Sequence, residues 1–362
     1  MRDIYHEQMI KRKLHKVFQI ACRTRINYDL VRYLRNKVGK YKLHRAQATE
    51  VAYPSCIMLE LTNHCNLQCA TCPRQYAYGK NMDKGYMSLE NAKKIVDEIY
   101  PYLDSIGLTG LGETMLYPHL TEIASYIKSK KKSVVISLST NANVAGFEET
   151  VKTVMPYIDT MQISIDGIEE VYEKIRVGAK FELLKANLLR IIELANRCNV
   201  DLMFNMVITK ENYSQMGDVI KFADEISVKY VNFNFNYFNL VSVTDIGKDY
   251  YEFYRTKEFE QALTNVYEMS KKYKGIEVTG LDFRDNTGLG KCPFPWDYFY
   301  ITWDGWVVPC CAKPFPKLMN FGNVYANGVM PVLNSDKYKH FRENWIQDKC
   351  PDFCEKCHFI DL

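Results

Sequence analysis

Residues 60–73 read ELTNHCNLQCATCP and set Cys65, Cys69 and Cys72 in a Cys-x3-Cys-x2-Cys run behind an apolar segment. Three thiolates can hold three irons of a four-iron cluster and leave the fourth iron open to another ligand. Zinc is the alternative, because Cys-x2-Cys pairs also occur in zinc sites. Structural zinc needs a fourth Cys or His, and His64 is the only histidine in this stretch. The run therefore favours an iron-sulfur cluster.

The cysteine run resembles the cluster-binding loop of the radical S-adenosylmethionine (SAM) superfamily, and Asn63 and Asn66 around Cys65 add to the likeness. The resemblance implies that the three cysteines hold a [4Fe-4S] cluster whose open iron chelates SAM. It also implies reductive cleavage of SAM to a 5′-deoxyadenosyl radical that abstracts hydrogen. A reductant such as flavodoxin or ferredoxin is then the expected electron donor. One position departs from the family: Thr71 stands where an aromatic residue often precedes the third cysteine.

Short apolar runs alternate with helical patterns along the middle of the chain. Six runs predict strands, at residues 56–61, 105–109, 134–140, 160–165, 201–208 and 230–235. Helical patterns lie between them, at residues 89–103, 120–130, 147–155, 181–198 and 213–227. Strands that alternate with helices predict an α/β fold with a parallel sheet. The strand count matches the partial (β/α)6 TIM-type barrel of the radical SAM family.

The second predicted strand leads into Gly110, Leu111, Gly112 and Glu113. This segment is similar to the family's Gly-Gly-Glu motif, with Leu111 inserted. Glycines allow backbone carbonyls to come close to a ligand, and Glu113 adds negative charge. The resemblance implies that Gly110, Gly112 and Glu113 bind the methionyl ammonium group of SAM.

Polar groups recur at the next two strand ends, the edge where barrel enzymes gather their chemistry. The third strand ends with Thr140 and Asn141, and the fourth with Ser164 and Asp166, followed by Arg176. By resemblance, Ser164 and Arg176 contact the SAM carboxylate, because an Arg fork suits a planar acceptor. Thr140, Asn141 and Asp166 then serve the ribose or local turns. Ordinary capping is the alternative for each residue taken singly.

A hairpin is predicted near the C-terminus. Two apolar runs, residues 298–302 and 306–309, flank the turn Asp304-Gly305. A hairpin brings its two ends together, so we expect Cys292 and Cys310 to be neighbours.

The tail adds a Cys-x2-Cys pair, Cys354 and Cys357. With the hairpin pair these residues make four thiolates, a closed shell for one cubane cluster. The arrangement resembles the auxiliary-cluster domain of SPASM and twitch radical SAM enzymes, and it implies one auxiliary [4Fe-4S] cluster. Cys350 is an alternative ligand, Cys311 is expected to point off the hairpin, and zinc also suits four thiolates.

Composition and charge suggest how the chain is organised. A hydrophobic fraction of 47% and a charged fraction of 25% are typical of a globular protein. Residues 1–50 hold 13 Lys and Arg against 4 Asp and Glu, which suggests an anionic partner or a solvated helical face. We predict four parts: a basic amphipathic helical extension (1–50), the barrel (51–240), a helical linker with a short strand (241–290) and the auxiliary-cluster domain (291–362).

The sequence predicts a cytoplasmic protein. It has no apolar run long enough for a transmembrane segment and no signal-peptide core. The twelve cysteines then favour metal ligation over disulfides, because reducing cytosol keeps thiols free. No nucleic acid partner is expected.

The first functional hypothesis is a radical SAM oxidoreductase or epimerase-like enzyme. A fully ligated auxiliary cluster cannot bind substrate, so its expected role is to pass an electron. Similar enzymes include sugar-alcohol dehydrogenases, which favours a small-molecule substrate of sugar or aminocyclitol type, phosphorylated or nucleotide-linked. The alternative is a SPASM-type peptide maturase, although no leader-peptide module is recognised. A non-catalytic metal-binding scaffold is the third hypothesis.

No catalytic acid or base can be assigned from the sequence. Asp282 and Asp285 are candidates only because they fall between the barrel and the hairpin. The aromatic residues of positions 230–254, among them Phe233 and Phe235, either line a substrate cavity or pack in the core.

Overall fold

A single sheet organises the computed structural model, which describes residues 28–235, 252–281, 292, 294–349, 351 and 354. Its strands are β1 (Cys56–Leu59), β2 (Ser105–Leu108), β3 (Val135–Thr140), β4 (Thr160–Ser164), β5 (Asp201–Ile208), β6 (Tyr230–Phe235), β7 (Glu277–Thr279), β8 (Phe299–Ile301) and β9 (Val307–Val308). Within the described residues the strand order is β7-β6-β5-β4-β3-β2-β1-β8-β9. Each neighbouring pair is parallel except β8 and β9, which are antiparallel. The sheet is open, with β7 and β9 as its edges.

Helices connect the parallel strands. They are α1 (Tyr28–Arg45), α2 (Ala77–Lys80), α3 (Leu89–Ile99), α4 (Leu120–Lys130), α5 (Phe147–Val154), α6 (Glu169–Ile175), α7 (Phe181–Cys198), α8 (Met216–Glu225), α9 (Lys257–Ser270), α10 (Phe294–Asp297), α11 (Val324–Asn327), α12 (Val329–Leu333) and α13 (Asp336–Ile346). The predicted α/β barrel fold is confirmed. Its six predicted strands all form, with ends within two residues of those predicted.

The core lies between the sheet and its helices. Along β1 to β5 every second residue is buried, and the residues between them are more exposed on the opposite face. Ile106, Ile136, Ile163 and Phe204 are fully buried members of this core. The period of two in the sequence is therefore the period of burial in the fold. Phe233 and Phe235 also belong to the core, so these two residues pack in the core and do not line a substrate cavity.

The sheet extends beyond the six predicted strands on both sides. β7 pairs with β6, and so joins the sheet from within the predicted linker. β8, the first strand of the predicted hairpin, pairs in parallel with β1, and Ile57 lies opposite Phe299. The hairpin strands are therefore continuous with the barrel sheet.

Helix α1 packs on the barrel at the N-terminal end of β2. Tyr33 Oη and Lys37 Nζ both donate to the Asp104 carboxylate, at 2.6 and 2.5 Å. The Asn36 side chain exchanges two hydrogen bonds with the Tyr53 backbone, at 2.9 and 3.0 Å. This helix forms the later part of the predicted basic helical extension, and residues 1–27 lie outside the described residues. In the part of the chain that the structure describes, no helix has both the length and the apolar character needed to span a bilayer.

Candidate iron-sulfur and SAM site

The loop that carries the first three cysteines, here called the cluster loop (residues 64–73), is fixed by a short ladder of backbone hydrogen bonds. The Gln68 N–H donates to Val177 O at 2.9 Å, and the Ala70 N–H donates to Ile175 O at 2.8 Å. The ladder ties the cluster loop to the segment that follows α6. As a result, the residue between the two acceptors is held opposite the second cysteine.

Arg176 is that residue. Its Nη1 lies 4.0 Å from Cys69 Sγ, and its Nη2 lies 2.9 Å from Asp166 Oδ2. The other Asp166 oxygen accepts the Val207 N–H at 2.8 Å. Although burial opposes its charge, the Asp166 carboxylate and Cys69 hold the pKa of Arg176 above its usual value. The Arg176 Nε is buried and has no hydrogen-bond partner among the described residues, so this donor is available to an acceptor such as a carboxylate.

The three thiols of the cluster loop are largely buried, and burial raises the pKa of each. Burial raises the pKa of Cys69 to about 12. The Leu67 N–H donates to Cys65 Sγ at 3.5 Å, and the Arg74 N–H donates to Cys72 Sγ. N–H groups directed at sulfur stabilise the thiolate form, which is the form that binds iron. The three thiols and the unpartnered Arg176 Nε therefore fit a cluster that carries a carboxylate ligand.

A single-ion site is less well supported. Among the described residues, no three His, Cys, Asp or Glu side chains converge closely enough to hold one metal ion. A cubane spreads its ligands over several irons, so it does not need such close convergence.

Gly110 and Gly112 press against the cluster loop and the end of β1. A Cβ on Gly110 would lie 2.3 Å from Glu60 Cγ. A Cβ on Gly112 would lie 2.4 Å from Thr62 O and 2.6 Å from His64 O. Only glycine fits at such distances, so packing against Glu60 explains Gly110, and packing against Thr62 and the start of the cluster loop explains Gly112. This reason differs from the closeness to SAM that the motif predicted.

Glu113 joins the ends of β2 and β3 to the cluster loop. Its N–H donates to His64 O at 2.8 Å. Its carboxylate accepts the Met115 N–H at 3.1 Å and the Asn141 N–H at 2.7 Å. Burial raises the pKa of Glu113, and these backbone donors oppose the rise.

Thr140 and Asn141 also brace the loop. The Thr140 hydroxyl accepts the N–H of Ala142, which has a φ of 52°. The Asn141 Nδ2 donates to Asn66 Oδ1 at 2.9 Å, and Asn66 Nδ2 donates to Asn143 O at 3.0 Å. The predicted site residues at these strand ends are thus brought to the cluster loop, and Ser164 lies half-buried at the end of β4.

Glu60 links the barrel to the C-terminal hairpin. Its Oε2 accepts hydrogen bonds from Leu111 N at 2.8 Å and from Tyr300 Oη at 2.6 Å. Its Oε1 accepts the Trp303 N–H at 3.3 Å. Burial raises the pKa of Glu60 to about 7.

The hairpin places Cys310 two residues after the end of β9. The backbone N–H groups of Ala312 and Lys313 donate to Cys310, while burial raises the pKa of its thiol. Burial also raises the pKa of Tyr338, and the nearby Cys310 and Cys292 add to the rise. Cys310 and Cys292 therefore both lie near Tyr338.

Cys311 lies near different tyrosines. Burial is the main cause of the raised pKa of Tyr298, and Cys311 adds to it. For Tyr300, burial and then Glu60 are the larger causes, and Cys311 again adds to the rise. Whether Cys311 belongs to the ligand set stays a prediction. Cys354 is half-buried. Cys357, Cys350, Asp282 and Asp285 lie outside the described residues.

Three residues of this region were not found from the sequence. Glu60 and Tyr300 are 240 positions apart, and no local pattern connects them. Arg74 has a buried Nε without a hydrogen-bond partner among the described residues. The sequence feature that could have identified Arg74 is its position directly after Cys72 and Pro73, next to the cysteine motif.

Two family models match separate parts of the chain. The model of the radical SAM superfamily matches residues 59–223, and the model of the SPASM iron-sulfur cluster-binding domain matches residues 292–358. The antilisterial bacteriocin subtilosin biosynthesis protein AlbA of Bacillus subtilis is 25% identical, over 92% of this chain and 76% of its own length. The tungsten-containing aldehyde ferredoxin oxidoreductase cofactor-modifying protein of Pyrococcus furiosus is 22% identical, over 84% of this chain and 89% of its own.

Solved structures share the fold. Streptococcus suis SuiB bound to SAM superposes with a TM-score of 0.64 at 15% identity, covering 92% of this chain and 78% of SuiB. SuiB bound to the precursor peptide SuiA gives a TM-score of 0.63 at 14% identity, covering 87% and 72%.

Proposed function

The chain belongs to the radical SAM superfamily and carries a SPASM iron-sulfur domain, and on that premise we propose that it is a peptide maturase. Its cofactors are SAM, a [4Fe-4S] cluster and an auxiliary iron-sulfur cluster in the SPASM domain. When bound, SAM and the first cluster supply the radical that abstracts hydrogen from the substrate. The substrate in this proposal is a ribosomally made peptide, and the outcome is a crosslink or an epimerised residue.

One observation carries the choice of a peptide. The match to AlbA, a bacteriocin biosynthesis protein, runs over 92% of this chain and so includes both domains. SuiB, which has the same fold, has been solved with a precursor peptide bound. The small polar substrate of the first hypothesis has no comparable support, and the peptide alternative is the better one.

The site residues have assigned roles in this proposal. Cys65, Cys69 and Cys72 hold the first cluster, with N–H groups directed at two of the three sulfurs. Arg176 presents its unpartnered Nε to the SAM carboxylate while Asp166 holds the guanidinium in place.

The remaining predicted SAM residues have a mixed assignment. Gly110 and Gly112 let the β2 end come close to the cluster loop, and Glu113 binds that end to β3. We keep Glu113, Thr140, Asn141 and Ser164 as candidate contacts of SAM.

The auxiliary cluster is assigned to Cys292, Cys310, Cys354 and Cys357. The shared neighbourhood of Cys292 and Cys310 at Tyr338 supports the hairpin half of this set. N–H donors from Ala312 and Lys313 suit a ligating thiolate at Cys310. A [4Fe-4S] cluster held by four thiolates can accept the electron that a crosslinking oxidation releases.

A second candidate substrate is a cofactor. The relative from Pyrococcus furiosus is named a cofactor-modifying protein, and it matches 84% of this chain. Its identity of 22% is close to that of AlbA, so the experiment must separate the two substrate classes.

Anaerobic co-expression tests the proposal. Each short open reading frame beside the gene is expressed with the wild-type protein or with a Cys65→Ala variant, and the peptide and 5′-deoxyadenosine are followed by mass spectrometry. We expect one peptide to change mass, by loss of hydrogen or by solvent deuterium uptake, only with the wild-type protein. SAM cleavage that leaves every peptide unchanged, with a cofactor in the same extract modified instead, would refute the maturase assignment.

A further inference from the structure

The face of the sheet opposite the helices carries a row of uncharged polar residues that crosses β4 to β7, at the C-terminal ends of β4 and β7 and within β5 and β6. Ser164 lies opposite Asn205, Asn205 opposite Asn232, and Asn232 opposite Thr279. All four are partly exposed, whereas their neighbours along each of β4, β5 and β6 are buried against the helices. The four side chains therefore stand at one level across four adjacent strands.

Hydrogen bonds join three strands of this row. Asn232 Nδ2 donates to Asn205 Oδ1 at 2.8 Å, and Thr279 Oγ1 donates to Asn232 Oδ1 at 2.8 Å. Asn234, two positions further along β6, also donates to Asn205 Oδ1, at 2.6 Å. We call Asn205, Asn232, Asn234 and Thr279 the amide row.

The internal bonds leave part of the amide row unused. Asn205 Oδ1 accepts two amides, so the Asn205 NH2 group is directed elsewhere. Within the described residues no hydrogen bond joins the Asn205 NH2 group to an acceptor or Asn234 Oδ1 to a donor. The row thus offers donors from one residue and an acceptor from another, side by side.

A parallel sheet normally covers both faces with apolar contacts. Amides and hydroxyls on a face of such a sheet cost packing energy, because they replace side chains that would bury apolar area. An interacting row of them that begins at the C-terminal end of β4, where barrels bind ligands, indicates a binding surface.

The chemistry of the row selects a class of ligand. An Asn side chain has the same donor and acceptor as a peptide group, so the two are complementary. The row itself carries no charge, and a phosphate or carboxylate would need cationic donors. This argues against the phosphorylated or nucleotide-linked substrate that the sequence suggested, at least at this surface.

The row also lies at a suitable place and has a suitable length. It continues from Ser164, two residues before Asp166, which holds Arg176 beside Cys69. Three steps between adjacent strands span about 14 Å, which is about four residues of extended peptide.

We propose that the amide row binds main-chain peptide groups of the substrate and holds an extended segment beside the cluster loop. This inference rests on the proposed function and adds the mode of binding. Recognition through the main chain tolerates many side chains at the bound positions, so sequence preference must come from other contacts.

The test uses the reconstituted holoprotein with SAM bound and a random library of linear peptides displayed on their messenger RNA. The best binder is resynthesised with each amide N-methylated in turn, and its affinity is measured for wild type, Asn205→Leu and Asn234→Leu. Asn→Leu conserves volume and removes the hydrogen bonds. Asn196→Leu, on the exposed face of α7, is the matched control.

We expect Asn205→Leu and Asn234→Leu each to weaken peptide binding about three- to tenfold, the usual worth of a neutral hydrogen bond. SAM affinity and the control variant should be unchanged. N-methylation at one or two consecutive amides should weaken binding to the wild type but have little further effect in the row variants. Asn234 is exposed, so its substitution keeps the test valid even if Asn205→Leu folds poorly.

Two results would overturn the inference, and only the second would also overturn the maturase proposal. Peptides that bind equally well to wild type and Asn234→Leu would refute the role of the amide row and leave the maturase proposal standing. A library without binders, together with row-dependent binding of myo-inositol as a polyol probe, would refute both the peptide assignment and the maturase proposal.

Discussion

Glu60 follows β1 directly, and its carboxylate accepts hydrogen bonds from Leu111, Tyr300 and Trp303. At the scale of single residues, such buried polar groups are what the sequence did not predict. Their partners lie on other strands, and a partner 240 positions away leaves no local pattern. By contrast, Cys65 and Arg176 were predicted to belong to one site, because the resemblance to the radical SAM family implies that Cys65 holds the cluster and Arg176 contacts SAM.

The charge of Glu60 makes stability depend on pH. Burial raises its pKa to about 7, so the folded protein holds this proton more tightly than the unfolded chain does. The contribution to stability is therefore present at low pH and is lost as the pH rises from about 4.5 to about 7. At about 1.4 kcal/mol per pKa unit, the loss is about 3 kcal/mol.

Glu60→Gln isolates this effect. We expect the unfolding free energy of wild type minus that of the variant to fall by about 3 kcal/mol between pH 4 and pH 8, measured by anaerobic denaturant titration. Other titrating groups cancel in the difference. An unchanged difference at the two pH values would show that the pKa of Glu60 is the same in the folded protein and in the unfolded chain.

Arg176 and Asp166 form a buried ion pair at 2.9 Å. Arg176→Met should destabilise the apoprotein by about 3–5 kcal/mol, because Asp166 is left buried without a cation. The double variant Arg176→Met with Asp166→Asn should recover part of the loss. Both are measured by denaturant unfolding of the apoprotein, which keeps cluster loss out of the comparison.

Lys180→Met supplies the control for this pair. Lys180 and Glu173 form an ion pair of similar length, 2.8 Å, but the Lys180 side chain is 72% exposed. Solvent screens such a pair, so its loss should leave the unfolding free energy nearly unchanged. Equal effects of Arg176→Met and Lys180→Met would contradict the proposed burial of the Asp166 charge.

At the scale of elements, strand positions were predicted well and their long-range pairing was not. Alternation of apolar residues marked β5 and β6 to the residue, because burial on one face imposes that period. Helix α6 was missed, since seven residues are too few for a helical period to stand out. The pairing of β8 with β1 was also missed, because it depends on register between distant strands.

The cluster loop and the β2 end form one packed unit, and Gly112 is its contact point. Gly112→Ala should displace the loop backbone and reduce iron incorporation into the first cluster, because its Cβ would lie 2.4 Å from Thr62 O. Iron per chain and anaerobic thermal unfolding provide the measurement. Gly39→Ala, in α1 with no atom within 4 Å of the new Cβ, is the control and should stabilise the helix slightly. Full iron loading of Gly112→Ala would contradict the packing described here.

At the scale of the whole molecule, the two iron-sulfur regions share one sheet. The predicted domain division places the hairpin in a separate C-terminal domain, whereas β8 and β9 extend the barrel sheet at the β1 edge. Cys310 therefore follows a strand of the sheet whose β1 leads into the cluster loop. An electron carrier at the hairpin is thus held in fixed relation to the first cluster.

The Glu60 bridge contributes to this rigidity. Tyr300→Phe removes the hydrogen bond from Tyr300 Oη to the Glu60 carboxylate, 2.6 Å long. A bond to a charged acceptor is worth about 1.5–3 kcal/mol, so the variant should lower the unfolding free energy by that amount at about pH 8. In a protein that already carries Glu60→Gln, Tyr300→Phe should lower the unfolding free energy by less. If Tyr300→Phe lowers it equally with and without Glu60→Gln, the hydrogen bond between Tyr300 and Glu60 is contradicted.

An anaerobic count of iron and acid-labile sulfide tests the two-cluster arrangement on which the maturase proposal depends. Wild type should hold about eight irons per chain, and the Cys65→Ala, Cys69→Ala, Cys72→Ala variant about four, since each cubane holds four. A Cys292→Ala, Cys310→Ala variant should also hold about four, with its first cluster intact. A wild-type protein with about four irons that the first triple variant removes entirely, and with zinc in the C-terminal domain, would contradict an electron-accepting auxiliary cluster.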